Sequence, residues 1–156
     1  MIRRAVPADA DAICAIWNPI IRDTLITFNN VPKTSADLTQ LIAERPVWVA
    51  QQDDQVAGFA LYEQFRGGPG YAHTAEHSIF IADGARGTGI GRALMTQLMD
   101  HAKSHQIHSI VAALSATNAD GMAFHEKMGF VQTARVPQAG CKFDQWIDLI
   151  LMQKML

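Results

Sequence analysis

One segment restricts the fold of this chain more than any other. Ser78 to Ala82 reads as a short strand, Asp83-Gly84-Ala85 breaks it, and Ile90, Leu94, Leu98 and Ala102 then recur at helical spacing. Between the strand and the helix lies Arg86-Gly87-Thr88-Gly89-Ile90-Gly91. A helix start leaves backbone N–H groups unpaired, and its dipole favours an anion. Three glycines let a ligand approach the backbone closely, and Arg86 adds a permanent positive charge. A phosphate suits such a turn; a tight turn without a ligand is the alternative. Two familiar phosphate motifs are excluded by one residue. Arg92 follows Gly91 where a P-loop has Lys, and it also stands where a dinucleotide fingerprint starting at Gly87 has its third glycine.

The rest of the chain alternates strands and helices. Met1 to Val6 suggests a first strand, and Pro7 with Asp9 signals a helix start. Ile13, Ile16, Trp17, Ile20 and Ile21 mark a core-facing helix that Pro19 is expected to kink or end near Asn18. A polar stretch from Asn29 to Thr34 precedes a second helix with Leu38, Leu41 and Ile42 on one side, ended by Pro46. Val47 to Gln51 and Val56 to Phe65 read as strands joined at Asp53-Asp54, and Gly67-Gly68-Pro69-Gly70 as a flexible loop. Ile107 to Leu114 is an apolar strand, Ala119 to Met128 a short helix capped by Gly129, and Phe130 to Val136 and Trp146 to Met155 are further strands. Gly140 and Cys141 are placed in a loop between them. No repeat or linker interrupts residues 1–156, so a single domain is expected.

Composition limits the partners. With 13 Lys and Arg against 15 Asp and Glu, the chain has no basic excess for a nucleic acid backbone. Its apolar runs are far shorter than the roughly 20 residues that span a bilayer, and the start of the chain lacks a signal-peptide core, so a cytoplasmic protein with no membrane partner is expected. Cys14 and Cys141 have no neighbours at metal-ligand spacing. His101 and His105 are four apart on a helix, a spacing open to a metal, but with His108 they read as a solvated face, and no metal is expected.

The Arg-x-x-Gly-x-Gly pattern at 86–91 resembles the acetyl-CoA pyrophosphate loop of the Gcn5-related N-acetyltransferases. Asn118 followed by a helix and Glu126-Lys127-Met128-Gly129-Phe130 resembles a second segment of that family, in the same order along the chain. His73-Thr74-Ala75-Glu76-His77-Ser78 and Gly140 to Asp148 are most similar to its phosphinothricin and methionine sulfone or sulfoximine acetyltransferase branch. The resemblance implies a mixed α/β fold of the α+β type, with a mostly antiparallel central sheet flanked by helices. It also implies acetyl-CoA as cofactor, the α-amine of a small amino acid as acceptor, and a homodimer.

Acetyl transfer to an amine needs a neutral amine, a stabilised oxyanion and a proton for the departing thiolate. The resemblance offers Glu76 as the base, directly or through water. It offers the backbone of Ile79, Phe80 and Ile81 as the support for the pantetheine chain and the oxyanion. His125 stands either as the proton donor or as a hydrogen-bonded helix residue beside the cofactor. Arg86, Gly87, Thr88, Gly89, Ile90, Gly91, Asn118 and Lys127 complete the cofactor set. On the acceptor side it implies Trp17, Asn18, Phe28 and Lys142, with Arg66, Tyr71 and Thr74 as a clamp for a carboxylate. Trp17, Phe65 and the glycine-rich loop depart from residues common in that branch. A peptide or lysine acceptor, or a CoA-binding sensor, are the competing expectations.

Overall fold

Strand and helix periods seen in the sequence are realised through local hydrogen bonds that can be traced residue by residue. The computed structural model describes all 156 residues. Its strands are β1 (Ile2–Arg4), β2 (Val47–Gln52), β3 (Gln55–Gln64), β4 (Thr74–Ile81), β5 (Ser109–Ser115), β6 (Val131–Lys142) and β7 (Gln145–Met155). The helices are α1 (Ala10–Asp23), α2 (Ser35–Glu44), α3 (Ile90–Ser104) and α4 (Ala119–Lys127). Thr34 starts α2 with a reciprocal cap: its hydroxyl accepts from the Asp37 N–H, and the Asp37 carboxylate accepts from the Thr34 N–H. Asp53 and Asp54, both at positive φ, make the tight β2–β3 turn. Asp9 is buried and takes a two-pronged ion pair from Arg3 at 2.7 and 2.8 Å, tying β1 to the start of α1.

The seven strands form one sheet in the order β1-β2-β3-β4-β5-β7-β6, and only β4 and β5 run parallel. Strand alternation divides the core into two layers. One layer packs α3 and α4 through Trp48, Ala60, Leu94, Leu98, Ile110 and Met152; the other packs α1 and α2 through Ile13, Leu38, Val49 and Phe59. This is the mixed, mostly antiparallel architecture that the resemblance implied. The parallel pairing runs from Thr74 opposite Ser109 to His77 opposite Ala112 and stops there. Beyond it the two strands part.

Four expectations are corrected. Pro19 does not end α1, which continues to Asp23 because Ile20 and Ile21 are buried against the sheet while Pro19 itself is exposed. Strand β4 begins at Thr74, because β3 pairs with it along its whole length. Gly140 and Cys141 lie inside β6, whose pairing with β7 resumes after a bulge; the turn is only Phe143-Asp144, both at positive φ. His101 is half-buried, its ring edge on Trp48 and its Nδ1 2.9 Å from the Tyr62 hydroxyl; His105 and His108 are exposed.

Gly58 shows how closely β3 and β4 fit beside the parting. A Cβ there would stand 2.7 Å from Ile81 Cδ1 and 3.1 Å from the Phe80 carbonyl. Gly58→Ala is expected to lower stability by about 1–3 kcal/mol, read as a lower urea midpoint with an unchanged slope.

Candidate active site

Where β4 and β5 separate, backbone groups of Ser78 to Ile81 that would have paired with β5 are left facing a gap. A cleft of about 600 Å³ occupies it. Its walls are Ser78 to Ile81 of β4, Ala112 to Leu114 of β5 and Asn118, Phe124, His125 and Lys127 of α4; Arg86, Gly87, Gly89, Gly91 and Arg92 form one end. A turn at Asp83–Ala85 leads from β4 into the glycine segment. Gly87 has φ 78° and Gly89, the residue that starts α3, has φ 90°. Thr88 lends rigidity rather than a ligand contact, since its hydroxyl donates to the Ala85 carbonyl at 2.7 Å. Gly91 is close to the Phe124 ring, where a Cβ would lie at 3.2 Å, so α3 and α4 meet tightly behind the loop. Arg92, Phe124 and His77 line the cleft but were not singled out from sequence. Arg92 could have been, as a cation in the first turn of the helix that follows the glycines.

Asn118 starts α4, and its Oδ1 accepts from the Gly121 N–H at 2.9 Å. Asn118 is also part of the cleft wall. The loop end carries Arg86 and Arg92, with Lys127 further along the wall. Together with an open helix N-terminus and unpaired strand backbone, this fits a ligand that has a phosphate-rich end and an amide-bearing arm. Arg86 also pairs with Asp83 at 3.2 Å, an exposed contact that is easily exchanged for a ligand.

His77 and Glu76 are adjacent on β4 and therefore face opposite sides of the sheet. Glu76 stands opposite Glu63 of β3. Burial, and then the Glu63 charge, raise its pKa above the ordinary carboxylate value. His77 is buried, and its Nε2 lies 3.1 Å from the Nε2 of buried His125. Burial pushes the His77 pKa down to about 3, and it lowers that of His125 as well.

The remaining predicted residues separate into two groups, neither of which lines the cleft. Lys142 is buried, and its ammonium donates to the Thr27 carbonyl at 2.8 Å. The Phe28 ring lies against Gly140, and Asn18 binds both the N–H and the carbonyl of Lys33. These contacts hold the 24–34 segment across the sheet end, where Ile26 of that segment reaches the cleft. Trp17 packs on Phe59 and Phe80, and Phe80 is a cleft residue. Arg66 is exposed and lines a second cavity with Arg4, Arg45, Glu63, His101 and His105. Tyr71 packs edge-on against Phe65, and Thr74 begins β4.

Comparison with known proteins matches residues 17–130 to the acetyltransferase (GNAT) family. The chain is 34% identical to the L-amino acid N-acyltransferase MnaT of Escherichia coli, over 99% of this chain and 93% of that protein. It is also 34% identical to an L-methionine sulfoximine/L-methionine sulfone acetyltransferase of Salmonella typhimurium, over 99% and 94%. Among solved structures, a ribosomal-protein-alanine N-acetyltransferase from Brucella melitensis superposes with TM-score 0.96 at 37% identity, covering 100% of this chain and 99% of that one. The structure of yncA from Salmonella typhimurium with its cofactor acetyl-CoA gives 0.95 at 32%, covering 100% and 93%.

The positive φ of Gly89 supplies a direct check on the loop. Gly89→Val introduces strain of about 1–3 kcal/mol and is expected to weaken acetyl-CoA binding by about tenfold or more in titration calorimetry. Gly84→Ala, in open space with ordinary φ, should stay within about twofold of the parent.

Proposed function

Because the chain belongs to the acetyltransferase (GNAT) family, we propose that it transfers acetyl from acetyl-CoA to the α-amine of a small amino acid or analogue such as methionine sulfone, methionine sulfoximine or phosphinothricin. The observation that carries this reading is the parting of β4 and β5 beside a glycine turn with two positive-φ positions. Similarity over nearly the full length to the Salmonella sulfoximine and sulfone acetyltransferase supports the acceptor class.

When bound, acetyl-CoA supplies an activated thioester carbonyl. In this reading Gly87, Gly89, Gly91 and Ile90 seat the pyrophosphate, with Thr88 bracing the loop and Arg86 and Lys127 adding charge. Ile79, Phe80 and Ile81 present β4 backbone to the pantetheine arm and to the carbonyl oxygen, and the Asn118 amide bonds the arm from the other wall. Glu76 accepts a proton from the incoming ammonium. Burial and the neighbouring Glu63 charge raise its pKa, which makes it a better base than an ordinary carboxylate. Phe28, Trp17 and Phe80 shape the acceptor side, Asn18 and Lys142 act by holding the 24–34 segment, and Arg66, Tyr71 and Thr74 select the acceptor near the start of β4.

Free-thiol release from acetyl-CoA tests the acceptor class, with methionine sulfone, methionine sulfoximine, phosphinothricin, the common amino acids, a lysine peptide and an alanine-terminated peptide as separate acceptors. Release with the first three is expected. Release with the alanine peptide alone would move the function to a protein acceptor, a reading favoured by the likeness to the Brucella enzyme. Silence with every acceptor despite cofactor binding would leave a sensor.

The base has its own pH signature. Only ionised Glu76 accepts the proton, so kcat/KM rises with pH through its elevated pKa and then levels. Glu76→Gln should lose that rise and about 10²–10⁴-fold in rate; full turnover at every pH would show that the base is another group.

A cytoplasmic homodimer is part of the same proposal. Strand β6 is an open sheet edge, and Val131, Phe143 and Trp146 expose apolar surface on the β6–β7 hairpin. Sedimentation should give twice the chain mass, and Trp146→Glu should shift it towards the monomer.

A further inference from the structure

The buried histidine pair has a proton order that follows from its partners. Nδ1 of His125 lies 2.6 Å from the Gly121 carbonyl, a group that can only accept, so Nδ1 carries the hydrogen. In a neutral His125 ring the Nε2 is then a lone pair. It faces the His77 Nε2 at 3.1 Å, so the hydrogen between the rings belongs to His77. That leaves His77 Nδ1 as a bare acceptor, and it is buried without any partner. Phe130 packs against both rings, with centroids 5.5 Å from His77 and 5.1 Å from His125.

We propose that His77 is a positioning residue that caps the Nε2 of His125 while the Gly121 carbonyl holds its Nδ1–H, so that His125 walls the cleft as a neutral group and does not protonate the departing sulfur. This rests on the acetyl-transfer reading for its meaning, although the pair itself does not. The proton balance closes without His125. An ammonium acceptor gives one proton to Glu76 and on to solvent, the N–C bond forms, the C–S bond breaks, and the second nitrogen proton ends on the thiolate. The products are the amide and CoA thiol.

The two rings have no side-chain hydrogen-bond partner besides each other. From β3 comes Tyr62, the cross-strand neighbour of His77, whose hydroxyl is engaged by His101. On β4, Glu76 points to the opposite face, and β5 opposes His77 with Ala112. Asp120, Glu126 and Lys127 of α4 are exposed, Arg92 of α3 is at the loop end, and Lys154 of β7 donates to the Met128 carbonyl. Burial of both rings disfavours an added proton, in keeping with their lowered pKa values.

Nitrogen NMR of the intact protein labelled with ¹⁵N-histidine reads the tautomers directly. The expected result at pH 7 is His125 protonated on Nδ1 and bare on Nε2, and His77 the reverse, with His77 unchanged from pH 9 to pH 6. His77→Phe removes the hydrogen-bond donor to the His125 Nε2, so it should shift the His125 Nε2 signal and add a histidine-range inflection to kcat/KM against pH. His77→Gln, whose side-chain amide can donate in place of the imidazole, should restore the parent His125 signals and pH profile. An Nε2–H or a charged His125 in the parent at pH 7, or an unaltered His125 signal in His77→Phe, would overturn the proposal. The parent spectrum decides even where a variant folds poorly, and because it needs no turnover it is separate from any failure of the acetyl-transfer reading.

Discussion

The interruption of a single strand pairing governs most of this molecule. Five of its six strand pairings are antiparallel and can run to the strand ends, but β4 and β5 run parallel and pair only over four residues each. A sheet that parts in its middle exposes backbone polar groups, which folded proteins almost always satisfy. Here the parting is kept open from both sides. β3 grips β4 up to Ile81 opposite Gly58, and β7 grips β5 up to Ser115 opposite Leu149. The gap thus becomes a rigid cleft whose own walls ask for a ligand with amides and a carbonyl. The glycine turn then lies at one end of it because α3 must start where β4 stops.

Several side chains whose chemistry suggests ligand contact are engaged within the protein instead. Asn18, Thr88 and Lys142 each bind main-chain groups, and Asn118 caps α4 while lining the cleft. A buried ammonium is costly to leave unpaired, so the Lys142 bond to Thr27 ties the 24–34 segment to the β6–β7 hairpin. Gly140 is needed at that junction, since any Cβ would collide with the Phe28 ring. The 24–34 segment is therefore held by residues distant in sequence, whereas the glycine turn is built from local geometry.

That contrast explains what could be read from the letters alone. The strand, the glycine turn and α3 are local, so period and glycine spacing disclosed them together with the anion-binding character. Asn118 and the helix after it were legible for the same reason. Pro19 misled because a local rule was overridden by the burial of Ile20 and Ile21 in tertiary packing. The Gly140 segment misled because a glycine beside a cysteine resembles a loop, while its true role depends on a ring more than a hundred residues earlier in the chain. Arg66 has the right chemistry for a carboxylate, yet lies in a second cavity with two other arginines and two histidines. The His77–His125 contact joins residues 48 apart, and no spacing rule reaches that far.

Adjacent residues on β4 show how little sequence is required to build two different electrostatic environments. Glu76 and His77 share a strand, but alternation sends one to each face of the sheet. On the Glu76 side, partial burial and a second carboxylate favour the proton-bound form, which is the direction a base needs in order to take a proton and return it. On the His77 side, nearly complete burial among aromatic rings and one imidazole disfavours any added proton. The stretch of β4 that β5 leaves unpaired begins with the next residue, Ser78. In the proposed reading, the strand that supports the thioester thus carries the Glu76 carboxylate on one face and the buried histidine pair on the other.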